Sequence, residues 1–430
     1  MRCSAGLLIK AYLPKGKVPG EIKDDGFSDS PELVLSCVMP DTCIAIELDH
    51  RVGGIPNATG ENGRRSLDAV AYLQTALLYT NSFGNRRVRV TTLAMQATSS
   101  IPKLFSSANF DSLTAFMIRQ AIGDIFNKNA AGSLHNARKG IMNKCVSILA
   151  NYRKYAEVEA SPGQLILPEA LQLLPLFCLS LLKGRMFRSS RASQSSSNCK
   201  PSPTADERAF HIFYSSNVSP AMSMLSVHPS LYDLNNMPND VGESVLLKPR
   251  RMGQSSQTHV DGHFDEDDFV RYSYKAYIQL PPSTKPSIAC IRPDGVYLLD
   301  DGFRFFCFVG RDVSIDARAE FLSFEESSDK DARKRHISIS TLSEFGSRIW
   351  RVISQLRKSY QCNTLDGYER HSYSPVIVVI GSGGAGFRTV IDSALEEEMI
   401  ESLVEDTSSE EQNYEEFLIG IFNRVRNVTI

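Results

Sequence analysis

The sequence predicts a multidomain α+β chain: an antiparallel β-sandwich first, an all-α helical domain second and an α+β domain last. Three observations carry this reading. Apolar residues alternate with a period of two up to about residue 97, helical spacing takes over directly afterwards, and strand-like and helix-like runs are mixed beyond about residue 286. With 430 residues, of which 42% are hydrophobic, the chain exceeds one ordinary core and holds enough apolar material for several.

Residues 1–98 read as the sandwich. The stretches 34–38, 43–48 and 71–79 are short apolar runs separated by Gly, Pro, Asn and Asp clusters. The run 86–94 alternates most cleanly, with Val88, Val90, Thr92 and Ala94 on one face and Arg87, Arg89, Thr91 and Leu93 on the other. Between the last two runs, Asn81-Ser82-Phe83-Gly84-Asn85 has the composition of a hairpin loop, with glycine available for a positive φ.

Residues 99–235 read as the helical domain. Leu113, Phe116, Met117, Ile122, Ile125 and Phe126 form a stripe on a first long helix, with Asp111 or Ser112 as its N-cap and Gly132 as its stop. Ala137, Ile141, Cys145, Ile148, Leu149 and Tyr152 share one face of a second. A third spans 168–187, kinks at Pro175, and is apolar nearly all round, which places it at the centre of a bundle. The Ser-rich stretch 189–206 reads as a loop, and helical pattern resumes at 206–214 and 220–225.

Residues 236–285 read as a polar linker or insertion carrying one strand at 244–247, and 286–430 as the last domain with its C-terminal helices. In that domain, strands at 295–299 and 303–309 are joined by Asp300-Asp301-Gly302, a strong hairpin signal. Helices at 317–324 and 343–358, a strand at 375–380 and helices at 396–404 and 414–426 follow.

Composition excludes several functions. A net charge of −2 with no long basic stretch argues against nucleic acid as a partner. The nine cysteines are scattered without a CxxC pair, so neither a disulfide framework nor a zinc knuckle is readable, and a reducing compartment fits them. The longest largely apolar run, 171–182, contains Pro175 and is too short to span a bilayer. Any membrane contact is therefore expected to be peripheral.

No reaction centre emerges either. Gly381-Ser382-Gly383-Gly384-Ala385-Gly386 matches a dinucleotide fingerprint, but the residues beyond Gly386 read as acidic helix instead of the second parallel strand that chemistry requires. His259 and His263 beside Asp261 and Asp265 could be drawn as a metal cluster, yet they sit in a polar insertion and lack a fourth ligand of fixed geometry. Glu325-Glu326 and the carboxylates at 396–398 are expected on exposed helical faces as solvated charge. The expectation is no catalytic residue, no metal and no cofactor.

Five motifs, in order, then point to a family. They are Thr75-Ala76-Leu77-Leu78-Tyr79-Thr80-Asn81-Ser82 with Arg86-Arg87-Val88-Arg89-Val90-Thr91-Thr92-Leu93; Leu167-Pro168-Glu169-Ala170-Leu171 with Arg185-Met186-Phe187-Arg188; His228-Pro229-Ser230-Leu231-Tyr232-Asp233-Leu234; Asp294-Gly295-Val296-Tyr297-Leu298-Leu299 with Phe308-Val309-Gly310-Arg311-Asp312; and Leu403-Val404-Glu405-Asp406 with Asn413-Tyr414-Glu415-Glu416-Phe417-Leu418. Together they resemble the cargo-binding subunits of the inner COPII vesicle coat. The resemblance covers nearly the whole chain and corresponds to the C-terminal portion of such subunits, without their zinc-ribbon and trunk domains.

The resemblance implies that the last domain is gelsolin-like and that the protein recognises other proteins without catalysis. It further implies a cargo adaptor for transport from the endoplasmic reticulum to the Golgi, cytoplasmic and peripheral on exit sites and COPII vesicles. Implied partners are the sister inner-coat subunit, the coat's small GTPase and the cytosolic tails of cargo and SNARE proteins. Arg2 is the one residue carried over as cargo-binding, since a guanidinium fork suits a carboxylate signal. The family zinc site lies in a domain this chain does not contain. Two alternatives are an actin-binding gelsolin-type protein and an oxidoreductase built on the 381–386 loop.

Overall fold

The computed structural model describes residues 7–12, 44–50, 70–96, 98, 100–126, 134–155, 164–188, 203–235, 237–246, 276–326, 335–359, 375–381, 390–405 and 412–429. They fall into two units, one formed by Met1–Val227 with Thr407–Ile430 and the other by His228–Asp406.

The first unit begins with strands, as the period-two pattern requires. β1 (Leu7–Tyr12) pairs antiparallel with β2 (Ala45–His50), and β3 (Val70–Thr80) with β4 (Arg86–Gln96), in register from Val70 opposite Gln96 to Thr80 opposite Arg86. Each pair is a two-stranded sheet among the described residues. Helices follow: α1 (Ile101–Ser106), α2 (Phe110–Phe126), α3 (Leu134–Tyr155), α4 (Leu174–Lys183), α5 (Ala205–Asn217) and α6 (Pro220–Val227). α4 is buried on nearly every side, in keeping with its all-round apolar sequence, and forms the heart of a core shared with Ile118, Ile141, Leu149 and Phe187. Arg138 on α3 closes the end of α4 by donating to the carbonyls of Leu182 (2.6 Å) and Phe187 (2.5 Å). At α5, Thr204 and Glu207 form a reciprocal capping box, and its backbone hydrogen bond holds the Glu207 carboxyl below the ordinary carboxylate range.

The second unit is built on a five-stranded sheet. Its elements are β5 (Ser230–Asp233), β6 (Ser244–Leu246), β7 (Ala276–Ile278), β8 (Ser283–Thr284), β9 (Val296–Asp300), β10 (Phe305–Val309), α7 (Ile315–Phe321), β11 (Leu322–Glu326), β12 (Arg335–Ile339), α8 (Glu344–Ser359), β13 (Val376–Ile380) and α9 (Val390–Ser402). The order is β13-β10-β9-β5-β8, with β10–β13 parallel and the other pairs antiparallel. One face packs on Ile349, Val352, Ile353 and Leu356 of α8, and the other on Met399 of α9 and Leu403 just beyond it. β6–β7 and β11–β12 are separate two-stranded ribbons.

Several boundaries differ from the sequence expectation. The last helix, α10 (Tyr414–Thr429), belongs to the first unit and not to the 286–430 domain. Its Phe417, Ile421 and Val425 recur every fourth residue and are buried in the helical core. Residues 230–233, expected at the end of the helical domain, form β5 inside the second unit's sheet, between β9 and β8. The expected helix over 168–187 is a short 3-10 turn at Glu169–Leu171 followed by α4, with Pro175 in the opening turn of α4 instead of at a kink. α2 starts earlier than expected because Asn109 accepts from the Ser112 amide at 2.8 Å, so Asn109 fills the capping role given to Asp111 or Ser112. The helix expected over 317–324 stops at Phe321, and β11 takes over. Gly132 and the run 34–38 lie outside the described residues.

Candidate functional site

The β3–β4 hairpin is the most exposed structured element described. From Val70 to Gln96 it contains no Asp or Glu, while Arg86, Arg87 and Arg89 follow its turn. The register sets Leu78 opposite Val88 and Ala76 opposite Val90, so one face carries a strip of apolar side chains. Tyr72, Leu78, Val88 and Val90 on that face are all more than half exposed, at 58, 56, 63 and 56%. Halfway along it Gln74 Nε2 donates to Thr92 Oγ1 at 3.0 Å.

The turn is organised by Asn81. Its Oδ1 accepts from the amides of Phe83 (3.1 Å) and Asn85 (2.9 Å), its own amide donates to the Asn85 carbonyl (2.9 Å), and its carbonyl accepts from Gly84 (3.0 Å). Gly84 has φ of 82°, which only glycine takes at little cost. This internally bonded loop holds Phe83 at the tip, 75% exposed. Asn81 and Gly84 were the visible signals for the turn; nothing in the pattern of the strands singled out Phe83.

The second unit holds its ionisable groups differently. Arg304 donates from Nη2 to Glu398 Oε1 (2.6 Å) and from Nε to Asp301 Oδ2 (3.3 Å), and lies over the Phe306 ring at 4.7 Å. Burial opposes its charge, but the hydrogen bond it donates to Glu398 and the fields of Asp301 and Glu398 leave its pKa raised. Asp301 also accepts from the amides of Phe303 and Arg304. His228 and Glu405, near the two ends of this unit, pair at 3.1 Å. This cluster was not foreseen from the sequence, since Asp301 and Glu398 are far apart along the chain.

These contacts are structural. Burial pushes the Cys307 thiol up to about 12, and a hydrogen bond with Cys145, then burial, raises the Cys178 thiol well above its ordinary range. Such thiols stay protonated and make poor nucleophiles. Among the described residues no three His, Cys, Asp or Glu are grouped as metal ligands would be. No described helix is long and apolar enough to cross a membrane.

Of the residues singled out from sequence, Arg2, His259, Asp261, His263, Asp265 and 382–386 lie outside the described residues. Gly381 is described: its amide donates to the Val309 carbonyl at 2.8 Å, and a Cβ there would sit 3.0 Å from the Phe308 ring, so close packing accounts for this glycine. Among the described residues β13, which leads into it, is an edge strand with one parallel neighbour, not a strand inside a parallel nucleotide-binding sheet. Glu325 and Glu326 are on β11 and not on a helix, while Glu398 is half-buried as a partner of Arg304 instead of free in solvent.

The Sec23/Sec24 beta-sandwich domain model matches residues 1–98 and the Sec23/Sec24 helical domain model residues 109–225, together half of the chain. The chain belongs to the Sec23/Sec24 family. It is 32% identical over 244 residues to protein transport protein SEC24 C of Arabidopsis thaliana, covering 56% of this chain and 18% of the relative. With Sec24A of Bos taurus it shares 26% over 352 residues, covering 82% of this chain and 26% of the relative. The fold is similar to the crystal structure of the human COPII-coat protein Sec24c, with TM-score 0.63 and 20% identity over 99% of this chain and 46% of that one. The chain thus spans roughly a fifth to a quarter of these two curated relatives' length.

Proposed function

We propose that this chain is the recognition part of a COPII cargo adaptor, acting in protein transport from the endoplasmic reticulum to the Golgi by binding proteins and not by catalysis. The observation that carries the reading is the unbroken succession of a Sec23/Sec24 sandwich and helical domain in a chain whose fold parallels a COPII-coat protein from end to end. Relatives named as protein transport proteins support it.

In this reading the partners are the sister inner-coat subunit, the coat's small GTPase and the cytosolic tails of cargo and SNARE proteins. The site of action is the cytoplasmic face of endoplasmic-reticulum exit sites, and no cofactor takes part. The second unit fills the place of the gelsolin-like domain, and Arg2 contributes a guanidinium to a carboxylate-bearing sorting signal. The test is fluorescence anisotropy of residues 1–430 with a panel of labelled cargo and SNARE tail peptides. At least one tail should bind and lose affinity on Arg2→Ala. A folded chain that binds no tail overturns the adaptor reading.

A further inference from the structure

The second unit is inserted into the first: the chain leaves after Val227 and returns at Thr407, ahead of α10. The two ends of the inserted unit meet. His228 Nε2 and Glu405 Oε1 lie 3.1 Å apart although 177 positions separate them, and their side chains are 28 and 16% exposed. An imidazole–carboxylate contact at that depth is held more firmly than an ion pair in open water.

Further bonds make this pair the last link of a closed ring. From His228 the chain runs into β5, whose outer edge is covered by β8, with Leu231 opposite Thr284 and Tyr232 opposite Ser283. The Asp233 amide donates to the Pro282 carbonyl at 3.3 Å, and the Thr284 hydroxyl to the Leu231 carbonyl at 3.5 Å. Just past β8, the Pro286 carbonyl accepts from the Glu405 amide at 3.1 Å. β5, β8 and the outgoing segment are thus bonded in succession, and Glu405 reaches back to His228 to complete the circuit.

The parts of this ring are anchored unequally. Leu231 of β5 is buried in one core with Tyr297 and Leu299 of β9 and Phe306 of β10. β8 has two residues and is the edge of the sheet among the described residues. An edge strand held by so few bonds opens more readily than the central strands beside it. Its fate is tied to that of the outgoing segment through Pro286 and Glu405.

We propose that His228 and Glu405 form a clasp that makes β8 and the outgoing segment open and close as one piece, where the chain enters and leaves the second unit. Closed, the clasp pins the point from which the chain sets out toward α10. Open, it frees that point while the β9–β10 core stays shut.

The test is hydrogen–deuterium exchange of the full chain, read by mass spectrometry on peptides covering 280–287, 401–405 and 296–309. His228→Ala should speed exchange of the first two about fivefold, the loss expected for one partly buried ion pair, and leave 296–309 unchanged. Because His228 lies in none of these peptides, faster exchange at 280–287 reports coupling around the ring and not a bond lost in place. Glu405→Ala should give the same pattern, and the double variant should exchange no faster than either single one. Glu405→Gln, whose amide oxygen still accepts from the imidazole, should fall between the parent and Glu405→Ala; it also carries the test if an alanine variant does not fold. The clasp is overturned if neither peptide changes, if 401–405 speeds up while 280–287 keeps the parent's rate, if 296–309 speeds up with them, or if the two alanine effects multiply.

Discussion

Two antiparallel hairpins of this chain are built on the same local chemistry and have opposite fates. β3–β4 has eleven-residue strands, with every described β4 side chain exposed. β9–β10 has five-residue strands, and every residue of both is buried. In each, an Asx side chain organises the turn and a glycine takes φ of 82°. The difference lies in what covers them. Phe305 and Phe306 of β10 alternate between a face packed on α8 and a face packed on α9, whereas β3–β4 keeps Tyr72, Val88 and Val90 open. Its turn residue also differs in kind: Asn81 is neutral and sits in water, while Asp301 is charged, buried, and matched by Arg304. Strand pattern and turn chemistry make a hairpin; neighbouring elements decide whether it becomes core or surface.

This contrast can be tested by paired substitutions in denaturant unfolding. The largest effect belongs to the covered hairpin: Phe306→Ala, at a fully buried position, should cost about 4 kcal/mol through lost burial and a residual cavity. Next, Arg304→Met leaves Asp301 and Glu398 without their cation and should cost about 3 kcal/mol; a cost under about 1 kcal/mol would show that water satisfies both carboxylates. On the open hairpin, Asn81→Ala removes the Oδ1 that accepts from the Phe83 and Asn85 amides in a solvated loop and should cost about 1 kcal/mol. Smallest of all, Val90→Thr on the open face should stay within about 0.5 kcal/mol. A loss there comparable to that of Phe306→Ala would mean that Val90 is covered in solution, and the contrast would fail.

Much of the fold was legible because it is local. The alternation at 86–94 gave β4, Asp300-Asp301-Gly302 gave the β9–β10 turn, and the stripe through Ala137, Ile141, Cys145 and Leu149 gave α3 with its buried face. Errors gathered where a residue has two lawful local roles. Pro175 suits both a kink and a first helical turn, and the segment after α7 holds Phe324 and Glu325, which a helix or a strand accommodates. For the candidate site, the three arginines and the turn were readable from sequence, and the openness of the strands around them was not.

The sequence by itself determined the longer helices, the β3–β4 and β9–β10 hairpins, their order and the family to which they belong, because periodicity, caps and turn residues act over a few neighbouring positions. Only the tertiary structure decided that Phe417, Ile421 and Val425 bury in the helical core and that residues 230–233 enter the other unit's sheet. It also decided that Arg304, already within reach of the nearby Asp301, would meet Glu398, which is distant along the chain. An apolar stripe states that it must leave water, and a buried charge that it must find a partner. Neither states which surface or which residue will meet it, since that depends on everything else the chain brings to the same place.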